Sequence, residues 1–208
     1  MQKLLKLFIF FIFFLITPLH ALTVTKTYPG PTVTVDGTAN YAVNLPAVNF
    51  SAADFYTGAT ITQVTISITW LKTDGSCTSP STGFAYHNET NFRINGPTGN
   101  ERLIRPNTYS GGVNIGNVTT LFDQTVATNP SGTPSSGTFN PNNGNLNNYI
   151  GDNPVGNWNL SAGDNAGADP LCVHSYTVNI TVPDPLPALS LVKSVDDNTL
   201  VVAGQTLT

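Results

Sequence analysis

Val64-Thr65-Ile66-Ser67-Ile68-Thr69-Trp70 alternates an apolar side chain with a hydroxyl at every step. A period of two places Val64, Ile66, Ile68 and Trp70 on one face of an extended chain and the hydroxyls on the other, so the stretch predicts a strand with one buried and one wet face. Tyr176-Thr177-Val178-Asn179-Ile180-Thr181-Val182 repeats the pattern, and Trp158-Asn159-Leu160-Ser161-Ala162 gives a third, shorter instance. Weaker strands are expected at 31–36, 91–95, 101–105, 119–122 and 137–140. Between them stand turn sequences such as Gly96-Pro97-Thr98-Gly99 and Pro141-Asn142-Asn143-Gly144. Helical periodicity is almost absent after residue 21. Many short strands with such punctuation predict an all-β fold, two antiparallel sheets packed as a jelly-roll sandwich over residues 22–182.

The first residues read differently. Lys3 and Lys6 precede an apolar run at 7–16, and Pro18-Leu19-His20-Ala21 follows. Basic start, short apolar centre and small residue at the end are the layout of a secretory signal peptide, with cleavage expected after Ala21. The run falls short of the roughly 20 apolar residues a membrane span needs. Loss of Lys3 and Lys6 takes the formal charge from −4 to −6. The remaining cations are scattered, which argues against nucleic acid as a partner. Charged residues are 10% of the chain, against about 25% in an average soluble domain. A surface dressed in Thr, Ser and Asn fits a secreted or cell-surface location.

Cys77 and Cys172 make an even count in a chain read as exported, so a disulfide is the economical expectation, with two buried thiols as the alternative. Pro183-Asp184-Pro185-Leu186-Pro187 predicts a stiff linker at 183–188. The apolar runs at 189–192 and 200–202 find no partners in the remaining sequence. Residues 189–208 are therefore expected to open a further domain that is cut at Thr208.

From about 63 to 182 the sequence resembles the P domain, or Homo B domain, of proprotein convertases and their bacterial relatives. His87, Phe92-Arg93-Ile94, Gly96-Pro97-Thr98-Gly99 and Leu103-Ile104 stand in the family's order. Phe122-Asp123, Gly137-Thr138-Phe139-Asn140-Pro141, Leu146, Tyr149, Gly151 and Gly156-Asn157-Trp158-Asn159-Leu160 leading to Asp164 follow its second half. Two departures stand out: Asn91 occupies a position where the family usually has Asp, and 73–85 resembles an insertion. The resemblance implies an eight-stranded jelly roll, often associated with calcium. It also implies a stabilising partner of a subtilisin-like protease or, in bacteria, a stand-alone surface module. The tail is similar to the start of Ig-like repeats in bacterial surface proteins.

Asp152, Asp164 and Asp169 lie in Asn- and Gly-rich loops flanking the Trp158 strand, where carboxylates and carbonyls can supply the six to eight oxygens of calcium. These three are the metal candidates, and calcium the candidate cofactor. No catalytic residue is assigned: His87 and Asp164 have no Gly-x-Ser-x-Gly elbow to join them in a triad, and the cysteines and histidines lack zinc spacing. Trp70 and Trp158 fall on the apolar phase, which predicts core packing rather than a sugar-binding face. A loop aromatic such as Tyr149 is the residue on which sugar binding would be tested. Asn88, Asn117, Asn159 and Asn179 head glycosylation sequons.

The sequence thus predicts a non-catalytic structural or adhesive module whose partners are further domains of the same chain. One alternative is an accessory domain acting with a subtilisin-like protease, and another is a carbohydrate-binding module.

Overall fold

The alternation of Val64 to Trp70 is the middle of a ten-residue strand, β5 (Gln63–Lys72), in which every second side chain is buried. The computed structural model describes residues 21–113 and 116–185. The expected signal peptide apart from Ala21, half of the expected linker (186–188) and the expected further domain at 189–208 lie outside the described residues. In chain order the strands are β1 (Ala21–Tyr28), β2 (Val33–Val35), β3 (Val43–Asn44), β4 (Val48–Phe50), β5, β6 (Phe84–Ala85) and β7 (Thr90–Asn95). They continue as β8 (Asn100–Ile104), β9 (Gly112–Val113), β10 (Val118–Asp123), β11 (Gly137–Phe139), β12 (Gly156–Asp164) and β13 (Leu171–Pro183). Short 3-10 turns at Ala52–Asp54, His87–Glu89 and Leu146–Tyr149 are the helical elements among the described residues.

One sheet has the order β1-β13-β5-β10-β11, with β2 also on β13; the other has β3-β12-β7-β8, with β4 also on β12. Their inner faces meet. Ile66, Ile68, Val178, Ile180 and Phe122 of the first sheet and Leu160, Trp158, Phe92 and Ile94 of the second are all inaccessible to solvent. Each such side chain contributes about 1.5–3 kcal/mol by leaving water. Some polar atoms in this layer are paired: Trp70 Nε1 donates to Thr120 Oγ1 at 3.1 Å, and the Tyr176 hydroxyl donates to the carbonyls of Pro46 and Trp158, whereas Trp158 Nε1 is buried without a hydrogen-bond partner. The outer face of the first sheet carries hydroxyl and amide pairs instead, Thr23 with Thr181, Thr25 with Asn179 and Thr27 with Thr177.

The five weaker strands expected from the sequence appear as β2, β7, β8, β10 and β11. Three features differ. Strand β11 pairs with β10 in parallel, so the first sheet is mixed rather than wholly antiparallel. Pro183, expected to open the linker, is the last residue of β13 and pairs with Ala21. That pairing belongs to β1, an edge strand whose alternation is broken at Lys26, where an ion pair with Asp54 at 2.8 Å takes the place of an apolar contact. The two-residue strands β3, β6 and β9 are too short to show a period.

Candidate functional site

Strand β5 continues its buried phase past Trp70 to Lys72, and β12 continues its own past Trp158, Leu160 and Ala162 to Asp164. The two strands belong to opposite sheets, so at one end of the sandwich the apolar rows finish on a lysine and an aspartate that face each other. Lys72 Nζ lies 2.7 Å from Asp164 Oδ1, with both side chains wholly buried. The same ammonium donates to the Asp169 carbonyl at 2.6 Å and lies 3.2 Å from Asp169 Oδ2 and 3.1 Å from Glu89 Oε2. Asp169 comes from the loop joining β12 to β13, and Glu89 from the turn His87–Glu89.

Each carboxylate is held by more than the lysine. Leu171 N–H donates to Asp164 Oδ2 at 3.2 Å, and Tyr86 N–H donates to Asp169 Oδ2. Burial pushes the Asp164 carboxyl up to about 6, against the opposing pull of the Lys72 hydrogen bond and charge. Glu89 and Asp169 push in the same direction as burial. The site therefore holds its negative charge at a cost, as a low-dielectric surrounding demands.

The segment at 73–85 roofs this end. Thr73 Oγ1 accepts from the N–H groups of Gly75 and Ser81, closing the loop on itself. Cys77 then reaches back to Cys172 in β13 through a disulfide with a Cα separation of 5.5 Å. Cys172 pairs with Leu71, and its neighbour Leu171 with Lys72, so the bridge is anchored one residue from the lysine. The bond settles the choice between a disulfide and two thiols. Beyond the roof, Phe84 and Tyr86 are half exposed and meet edge to face at 5.0 Å. With Asp74, Glu89, Ala168 and Asp169 they line a shallow groove of about 200 Å³. A larger hollow of about 490 Å³, lined by Phe55, Tyr56, Ala59, Pro154 and Val155 among others, has no charged side chain in its walls.

The sequence candidates are distributed as follows. Asp164 and Asp169 come together around Lys72. Asp152 does not join them: it precedes the first residue of β12, whereas Asp164 is the last. A nine-residue strand spans about 30 Å, and Asp152 is taken up by the Thr98 hydroxyl. The three aspartates thus do not fit calcium as one ligand set. Among the described residues no group of three His, Cys, Asp or Glu is placed to hold a metal ion. Tyr149 is not a loop aromatic open to sugars. It is buried, packs tilted against Trp158 with ring centroids 4.7 Å apart, and donates its hydroxyl to the Gly99 carbonyl, because the turn Leu146–Tyr149 points it inward. Of the histidines, His87 is buried near the cluster, while His174 lies at the bulge of β13 between Thr32 and Asn117. Asn91, where the resemblance expects Asp, is buried and accepts from Tyr41 N–H at 2.7 Å.

Lys72 and Glu89 are the residues that sequence reading missed, although the place of Lys72 two residues beyond Trp70 marks it for the inner face. No helix among the described residues is long and apolar enough to cross a membrane.

No family model and no curated protein matches the chain. Among solved structures it is similar to a chain in the crystal structure of a complex of Aeromonas sobria serine protease and the chaperone ORF2, with a TM-score of 0.39 and 10% identity. The match covers 81% of this chain but 28% of the other. A likeness that loose bears on neither activity nor partner.

Proposed function

We propose that the chain is a non-catalytic structural or adhesive β-sandwich module of a secreted or cell-surface protein. One observation carries the reading: the groups with chemical potential are used to lock strands together. Lys72, Asp164 and Asp169 join the two sheets, and the cysteines tie the roof to β13 at the same end. A formed disulfide and the basic, apolar, small-residue order of the first 21 residues support export to an oxidising compartment. The purified full chain is expected to release no product from ester, peptide, glycoside and phosphate reporters while its melting temperature falls by several degrees on reduction. Turnover that a single substitution abolishes would overturn the reading.

A second reading, an accessory domain of a subtilisin-like protease, is supported by where the family-like residues fall. Phe122-Asp123, Gly137-Thr138-Phe139, Leu146 to Tyr149 and Trp158 to Asp164 occupy consecutive elements, β10, β11, a 3-10 turn and β12. It predicts that the full chain lengthens the half-life of a subtilisin held near its inactivation temperature; an unchanged half-life removes it. The exposed Phe84 and Tyr86 pair favours a carbohydrate-binding alternative, which requires glycan-array signals that disappear in Phe84→Ala and Tyr86→Ala.

A further inference from the structure

Lys72 and Asp164 are an amine and a carboxyl group held in contact, away from solvent, with two further carboxyl groups against the same nitrogen. One ammonium faces three carboxyls. With all four ionised, the cluster would bury two uncompensated negative charges, and burial disfavours the charged form of Asp164, which a proton passed from the ammonium relieves. A protonated acid beside an amine relieved of its proton is the reactant pair of an amide condensation, and the fold has removed the entropic barrier of bringing the two together.

We propose that Lys72 and Asp164 condense to an intramolecular amide bond joining β5 to β12, and hence one sheet to the other. The atoms balance without an added reagent. Glu89 Oε2 or Asp169 Oδ2, at 3.1 and 3.2 Å from Nζ, takes a proton from the ammonium. The freed lone pair forms the N–C bond at Asp164 Cγ. Oδ2, which accepts from Leu171 N–H, becomes the amide oxygen and bears the charge of the tetrahedral intermediate in passing. The bond from Cγ to Oδ1 breaks. Oδ1 departs as water with two protons that both began on Nζ, one of them returned by the carrier carboxylic acid. The third stays on the amide nitrogen. One positive and one negative charge vanish, which relieves the desolvation cost that a buried ion pair otherwise carries. Glu89 has the more solvent-exposed side chain of the two carriers, 16% against 6%, and is the better placed to exchange protons with solvent.

The deciding measurement is the intact mass of the full chain, denatured and with its disulfide reduced. The amide leaves it one water lighter than its sequence. Trypsin then fails to cut after Lys72, and a branched species appears in which residues 27–93 are joined to residues 103–193. Lys72→Arg, which keeps the charge and cannot form the bond, and Asp164→Ala both return to full sequence mass. The double variant Glu89→Gln, Asp169→Asn reaches the lighter mass about 100-fold more slowly, as loss of positioned proton carriers requires. Folded wild-type protein at full mass, cut by trypsin after Lys72, overturns the proposal, since the result is read on the unmutated chain and needs no variant to fold.

Discussion

The sandwich has two interiors built by one backbone rule. Around Ile66, Val178 and Leu160, inner positions meet as hydrocarbon against hydrocarbon, and any one of them can lose a methyl group without electrical consequence. Around Lys72 and Asp164 the same alternation brings a cation and carboxylates together, and each depends on the other. The difference teaches that a strand phase assigns burial, while the side chain at the end of the row decides whether burial is self-sufficient or conditional on a partner.

The contrast breaks most sharply at Lys72. Lys72→Ala leaves Asp164, Asp169 and Glu89 with no opposing charge, and a loss of about 3–5 kcal/mol is expected in urea unfolding of the full chain. The pH dependence sharpens this. Asp164, as a free acid, has a folded-state pKa raised to about 6 from 3.8. The folded chain then holds more protons than the unfolded one between those values, so stability is fully present below 3.8 and is lost as pH rises through about 6. If Asp164 is tied up as an amide that slope disappears, and unfolding followed from pH 3.5 to 7 distinguishes the two.

Next comes the roof. Replacing Cys77 and Cys172 together by Ser releases a cross-link between residues 95 apart, with an expected cost of about 2–5 kcal/mol, read as a lowered denaturant midpoint. In the dry interior, Ile66→Val removes one methylene from a wholly buried side chain and should cost about 0.5–1.5 kcal/mol by the same assay. The outer face responds least. Thr25→Ala breaks a pair with Asn179 on an exposed surface, and the change is expected within about 0.5 kcal/mol.

Much of the fold was legible because burial on strands has the shortest period a chain can show. Val64 to Trp70, Trp158 to Ala162 and Tyr176 to Val182 each declared their faces, and the structure buries those faces. Strand β1 was less legible, since Lys26 interrupts its apolar phase and its ion partner Asp54 lies far along the chain. The candidate site was legible only in part. Asp164 and Asp169 were chosen for their loop surroundings and do meet. Asp152 was chosen on the same ground and stands at the other end of β12. Nearness in sequence to both ends of an extended strand is distance in space.

Local chemistry therefore settled which residues turn inward, that the elements are strands, and that the surface is hydroxyl and amide rather than charged. These follow from one chain's own dihedral alternation and composition. Which inward residues meet was decided by the packing of β5 against β12, of the roof against β13, and of β11 beside β10 in parallel. Those are long-range pairings, set by the summed burial of two whole sheets, and no window of a few residues contains them.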